Sequence, residues 1–413
     1  MGIPDFAIRS HKFILKMALS QSSHNGIKTS MNNTFRRILS IALYPFSPLI
    51  RLLQNKMDFL RTYKLKLIIA RVLRIIRLVN GSASSVQFPD TFYPSLNPGA
   101  NKKIGVIDHS YHHKTISPTF FINLLKQFGS VTIMWDSQWN GGKFPAFSKI
   151  NNEGFDILIL WQIMIYHHPE KLKKLNCRQI IIIPMFDDIH ADPDSLFLRF
   201  SDFRFICFCR SLHLRFNRLG IRSKYFQFFI DPASLPFRED TFTELNGFFW
   251  QRTNDITWDH IRKLIEGTQF TNFHLHLALD PIWYREVLPT EEEMKKYHIT
   301  ITRWFDKKED YLEILSKSNV FFTPRLYEGI GMPAIEAMTM GKVVVTPNHP
   351  TMNEYISHGR NGLLYDMIDL KPLDFSSAKT MACKARNDSL SGFEHWQNSS
   401  RELLDFIDLH DQA

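Results

Sequence analysis

The sequence predicts an α/β protein with two doubly wound parallel-sheet domains behind a basic helical extension. Three observations lead there. Short, continuous apolar strands alternate with helical stretches from residue 103 to residue 346, the pattern of parallel sheets covered on both faces. One Pro-bearing polar connection, Asp231 to Glu244, divides the alternation in two and reads as a hinge. A chain of 413 residues accommodates two domains plus an extension, and 44% hydrophobic residues are enough for two cores.

The extension, residues 1–80, holds 14 Lys or Arg against Asp5 and Asp58, a net of +12 in a chain whose total is +9. The rest is therefore slightly acidic, which argues against nucleic-acid binding by a basic face of the folded domains. From Lys64 to Val79, helical spacing gathers Leu65, Ile68, Ile69, Val72, Ile75, Ile76 and Val79 on one side, with Lys66, Arg71, Arg74 and Arg77 on the other. The longest apolar stretch, Ile38 to Ile50, is broken by Pro45 and Pro48 and falls short of the roughly 18 apolar residues of a membrane span. The partner expected for residues 1–80 is an anionic membrane surface, with the protein cytoplasmic and peripheral on the inner face of the cell membrane. Packing of the apolar face on the first domain, or an organelle transit peptide, are the alternatives. Met17 and Met31 are alternative starts.

Residues 81–100, rich in Ser, Pro and Gly, read as a linker. Residues 101–235 form the first domain, with strands Lys103–Asp108, Ser130–Trp135, Asp156–Leu160, Gln179–Pro184, Phe203–Phe208 and Lys224–Phe229, and a helix over Pro118–Gln127. It carries no Gly-x-Gly-x-x-Gly, which disfavours a dinucleotide-dependent oxidoreductase. Residues 236–390 form the second domain, with strands Asn246–Gln251, Asn272–Leu279, Asn319–Thr323 and Lys342–Thr346 and helices Trp258–Glu266, Glu291–Tyr297 and Asp310–Lys317. Residues 391–413 supply a last helix, Phe393–Leu409, whose apolar contacts are Trp396, Leu403, Leu404 and Phe406. Cys177, Cys207, Cys209 and Cys383 have neither metal-type nor disulfide-framework spacing and are read as core residues of a reducing compartment.

The chemistry concentrates between Asn319 and Gly341. Pro324 stops the strand, Pro333 suits a first helical turn because its missing N–H has no intrahelical partner there, and Gly341 closes the helix. Ile330 to Ala334 thus gather free backbone N–H groups at the positive end of a helix, with Gly329 and Gly331 permitting close approach, and such a point attracts phosphate. Glu328 and Glu336 flank it. A carboxylate accepts two hydroxyl hydrogen bonds at once, at about 1.5–3 kcal/mol for charge-assisted bonds, so two acids beside an anion site suit a ligand with phosphates between two sugars.

The segment Pro324-Arg-Leu-Tyr-Glu-Gly-Ile-Gly-Met-Pro333, with Glu336-Ala-Met338, Gly341-Lys-Val-Val-Val345, Glu354 and Gly359-Arg-Asn-Gly-Leu-Leu364, resembles the family 4 glycosyltransferases, group 1 type retaining enzymes of the GT-B fold. That resemblance implies two Rossmann-like domains facing a central cleft, a nucleoside-diphosphate sugar as co-substrate with no metal or other cofactor, Glu328 on the donor sugar and Glu336 on the nucleotide ribose. It also implies a glycan or lipid-linked acceptor, in cell-envelope polysaccharide or glycolipid synthesis, and a last helix that crosses back to the first domain. A catalytically silent membrane-associated scaffold and a sugar-nucleotide hydrolase are the alternatives. In the family an Arg ends the first strand of the second domain and a Lys follows five positions later, both on the diphosphate. Here Arg252 occupies the first position and Thr257 the second, so Arg325, where the family has Ser, is the candidate replacement for the missing charge.

The family also places a His of the first domain near the transferred sugar. His190 in Phe186-Asp-Asp-Ile-His190 follows a predicted strand end, where cleft residues fall, and His109 competes with it, as do Asp187 and Asp188 as further cleft groups. Asp192-Pro-Asp194 imitates a metal motif but reads as a turn, and His109, His112 and His113 as a polar loop.

Overall fold

The structure, a computed structural model, describes residues 88–115, 117–138, 142–162, 169–279, 285–305 and 307–408. The basic extension over residues 1–80, with its amphipathic stretch, lies outside the described residues. The first sheet contains β1 (Thr91–Tyr93), β2 (Lys102–His109), β3 (Gly129–Asp136), β4 (Ile157–Trp161), β5 (Gln179–Ile183), β6 (Arg204–Cys207) and β7 (Ser223–Tyr225), in the order β1-β3-β2-β4-β5-β6-β7. All neighbours are parallel except β1, which pairs antiparallel with β3, Phe92 opposite Thr132. The second sheet contains β8 (Asn246–Gln251), β9 (Asn272–Leu277), β10 (Ile299–Thr302), β11 (Val320–Phe322), β12 (Val343–Pro347) and β13 (Gly362–Tyr365), all parallel, in the order β10-β9-β8-β11-β12-β13.

In the first sheet β2 lies between β3 and β4, and in the second β8 lies between β9 and β11. The strand order therefore reverses beside β2 in one lobe and beside β8 in the other, leaving a crevice at the carboxyl ends where ligands bind in such folds. The strands are parallel because they are apolar on both faces. Ile157-Leu-Ile-Leu-Trp161 and Val343-Val-Val345 are buried throughout, which only helices on both sides can achieve.

Three apolar clusters result. One covers the outer layer of the first lobe, a second the outer layer of the second lobe, and the third runs through both. This shared core joins Ile104, Phe121, Trp161 and Phe208 of the first lobe to Phe248, Phe321, Ile335 and Met338 of the second. Trp396 packs edge-on against Phe120 and Phe228 within it.

The sequence reading needs correction at three places. Residues 81–100 are not wholly a linker, because Thr91–Tyr93 pairs along the edge of β3. Strands β10 and β13 were not expected. The last helix begins at Ala378, not near Phe393, and runs 31 residues to Asp408, so the boundary at 390/391 falls inside a helix. Its first turns bury Ala378, Met381 and Ala382 on the second lobe and Ala385 in the shared core. Its last turn is held by the first lobe, where the buried Arg204 donates Nη1–H to the Phe406 carbonyl at 2.6 Å and Lys102 pairs with Asp408.

The lobes also meet at Glu354, whose carboxylate accepts the backbone N–H groups of Arg210 (2.8 Å) and Ser211 (3.2 Å) at the start of the first-lobe helix Arg210–Arg218. Tyr355 donates its hydroxyl to the Phe228 carbonyl beside it. Among the described residues no helix is long and apolar enough to cross a membrane.

Candidate active site

The donor-side loop leaves β11 at Thr323 and enters the helix Met332–Thr339 through Gly331, which adopts φ 81°, a left-handed conformation that glycine tolerates without strain. A Cβ on Gly331 would lie 2.1 Å from Met352 Cε, so the loop is packed from behind as well as bent. Thr351 adds a clamp by donating its buried hydroxyl to the Glu328 carbonyl at 2.8 Å. Ala334 N–H is used within the turn, donating to Gly331 O at 3.0 Å, and Pro333 has none, so the expected anion site narrows to Ile330, Gly331 and Met332. Among the described residues these three N–H groups have no hydrogen-bond partner. They stand at the start of an eight-residue helix whose dipole adds to them.

Glu328 is 8% exposed, and burial drives its carboxyl up to about 7. The nearby cations Arg325 and Arg252 pull it down, while Asp187 pushes it further up. The structure thus brings Glu328, Arg252, Arg325 and Asp187 to one place, although they come from three chain segments. Arg252 follows β8 at the crevice, with its guanidinium 5.3 Å from the centre of the Trp250 ring. Arg325 follows β11 and pairs across the cleft with Asp187 of the first lobe, Nη1 to Oδ2 at 2.9 Å. A Cβ on Gly329 would come within 3.0 Å of Asp187 Oδ1 and of Met185, so donor loop and first lobe touch at this point.

Glu336 is 4% exposed and lies 2.5 Å from Lys308 Nζ. Burial raises its carboxyl and Lys308 opposes the rise. The hydroxyl of Tyr311, one turn on from Lys308, is buried without a partner, and its ionisation is pushed far up by burial and by the charge of Glu336. Thr257, in the place of the family's Lys, starts the helix Trp258–Leu264, with its hydroxyl 2.9 Å from His260 Nδ1. That position is structural here.

His190 caps the same short first-lobe helix that carries Asp187. Its ring lies 4.1 Å from that of Tyr327, and Tyr327 in turn meets His349 at 4.9 Å, so His190 supports the outer side of the donor loop. Asp187, three residues earlier, is a first-lobe group that pairs with Arg325. His109 stands by the Asp108–His112 pair, in which Nδ1 and Oδ1 are 2.7 Å apart, and His113 stacks on Phe88. Asp194 accepts from Arg215 at 2.7 Å. Among the described residues no three His, Cys, Asp or Glu are grouped to hold a metal ion. Sequence reasoning missed Lys308 and left Asp187 undecided, because each is defined by a partner far along the chain.

No curated protein matches the sequence. Residues 285–372 match the sequence model of the family described as glycosyl transferases group 1, a span that contains Arg325, Glu328, the three amides and Glu336. Among solved structures, a sucrose-phosphate synthase from Thermosynechococcus elongatus is similar at 12% identity and TM-score 0.56, over 74% of this chain and 98% of that one. A glycosyltransferase from Rickettsia africae is similar at 12% identity and TM-score 0.52, over 74% and 98%. HepE from Anabaena, in complex with UDP and glucose, is similar at 14% identity and TM-score 0.50, over 74% and 100%. At these identities the likeness establishes the architecture, two Rossmann-like lobes of the GT-B kind. With a match to the group 1 glycosyl transferases lying within the second lobe of that architecture, the chain is a glycosyltransferase of the GT-B fold.

Proposed function

We propose that the protein is a retaining glycosyltransferase that moves a sugar from a nucleoside diphosphate to an acceptor hydroxyl in the synthesis of a cell-envelope polysaccharide or glycolipid. The observation that carries this is the meeting of Glu328, Arg252 and Arg325 with the three unused amides at Ile330–Met332, at the crevice of the second sheet. A diphosphate on the amides is neutralised by Arg252 and Arg325, the preorganised electrostatic stabilisation that usually dominates such reactions. Glu336 then receives the ribose diol and Glu328 the hydroxyls of the transferred sugar. The anomeric C–O bond to the diphosphate breaks, the acceptor oxygen bonds to the anomeric carbon, and the acceptor proton passes to the leaving phosphate oxygen. Glu328 supports the positive charge that develops at that carbon.

The resemblance of Tyr327–Met338 to family 4 enzymes supports retention. UDP and glucose in the Anabaena structure favour a nucleoside-diphosphate hexose as the donor. The +12 extension favours an anionic membrane as the place of work, on its cytoplasmic face, and a lipid-linked or glycan acceptor. The chemistry proposed uses no metal.

The test is a thermal-shift screen of nucleoside diphosphates and their sugars on the purified chain, followed by product analysis with and without acceptor glycans. Stabilisation by one diphosphate and transfer with an unchanged anomeric configuration are expected. Absence of binding by every diphosphate overturns the reading. Free sugar released at the same rate without acceptor makes the protein a hydrolase.

A further inference from the structure

We infer that Asp187 is a positioning residue of the donor site, supplied by the opposite lobe, which holds Arg325 in the posture that neutralises the donor diphosphate. The inference rests on the donor reading above and adds a first-lobe residue to a site otherwise built from the second lobe. Asp187 stands one turn past β5, in the short helix Phe186–Ile189, so its place is set by the first sheet. Its Oδ2 accepts from Arg325 Nη1 at 2.9 Å, with side-chain exposures of 25% for Arg325 and 16% for Asp187. The close approach of Gly329 to Asp187 and Met185 shows that lobe and loop meet here without an intervening side chain.

The need for such a device is visible in the second lobe. The residue that would carry the second phosphate cation is Thr257, and its hydroxyl is committed to the start of a helix. Arg325 is the replacement, but it comes from a loop and brings four rotatable side-chain bonds that must be ordered on binding. Fixing one rotamer-rich side chain in advance improves affinity by roughly tenfold or somewhat less. Asp187 does this from outside the loop. Because the anchor belongs to the first lobe, the diphosphate meets a complete set of cations only when the lobes face one another as they do here.

A competing effect has the opposite sign. Asp187 carries negative charge, and if that charge merely withheld Arg325 from the ligand, its removal would tighten binding. Calorimetric titration of the full chain with the nucleoside diphosphate selected by the screen separates the two. Asp187→Ala is expected to bind about tenfold more weakly, and Asp187→Asn, which keeps an oxygen acceptor for Arg325, to recover most of that loss. In an Arg325→Ala background, already weaker by ten- to a hundredfold, Asp187→Ala is expected to add nothing, since the two act as one unit. Asp187→Ser replaces the alanine form should that fail to fold. Tighter binding by both Asp187→Ala and Asp187→Asn, or a loss of affinity that persists in the Arg325→Ala background, overturns the inference. Failure of the wild-type chain to bind any diphosphate overturns the donor reading itself.

Discussion

Lys308 Nζ lies 2.5 Å from Glu336 Oε1, the lysine half exposed and the glutamate almost wholly buried. Burial raises the Glu336 carboxyl and the lysine opposes that rise; in the donor reading proposed above, the other carboxylate oxygen is the one offered to the ribose.

Lys308→Met is therefore expected to weaken nucleoside-diphosphate binding near pH 7 by about tenfold, because removing the cation lets burial raise the Glu336 carboxyl further. Glu336 ionises more fully as the pH rises, so the defect is expected to shrink toward alkaline pH. Glu336→Gln loses a charge-assisted bond, about 1.5–3 kcal/mol, at every pH. Titrations at two pH values, with ribo- and 2′-deoxyribonucleotides, check both.

Glu328, raised from the ordinary 4.5 to about 7, binds a proton in the folded state that the unfolded chain releases. Its proton therefore favours folding fully below about pH 4.5, and that contribution is lost as the pH rises through about 7. The shift corresponds to roughly 3 kcal/mol as an order of magnitude. Glu328→Gln escapes the penalty. Its Tm should match the wild type near pH 5 and exceed it at pH 8, while kcat falls at both. A Tm gap independent of pH contradicts this.

The same group sets an acid limb for catalysis. If the ionised carboxylate supports charge at the anomeric carbon, kcat/KM of the wild type declines tenfold per pH unit below about 7, the value of the free enzyme. A steady-state pH profile measures it.

Gly331 combines φ 81° with a Cβ position only 2.1 Å from Met352 Cε. Gly331→Ala should lower stability by about 1–3 kcal/mol and weaken diphosphate binding as the amides turn. Met352→Ala in the same chain relieves the collision but not the backbone strain. Partial recovery of Tm is expected, read by thermal melts.

Much of the architecture was legible because buried parallel strands are apolar runs, and β2, β4, β5, β8 and β12 are of that kind. What escaped was less regular. Strand β10, Ile299-Thr-Ile-Thr302, is buried only at Ile299, and β13 is four residues long and begins on a glycine. The first half of the last helix hides its contacts in alanines, which look neutral in sequence yet pack closely. The donor loop could be read because its geometry is local: two glycines, a proline and a helix start. The pairs Asp187–Arg325 and Lys308–Glu336 join residues 138 and 28 positions apart, and no local pattern announces them. Strand-end reasoning found the turn after β5, with both Asp187 and His190 on it, but not the Asp187–Arg325 pair.

The helix Ala378–Asp408, fastened to one lobe at its start and to the other at its end, is a rod roughly 46 Å long that both halves of the enzyme share. Swinging the halves apart strains that rod, which is softest around Gly392, where it passes the Phe229 ring too closely for any side chain. Any movement of one lobe against the other would therefore have to be taken up along a single helix, and Gly392→Ala would be expected to restrain it.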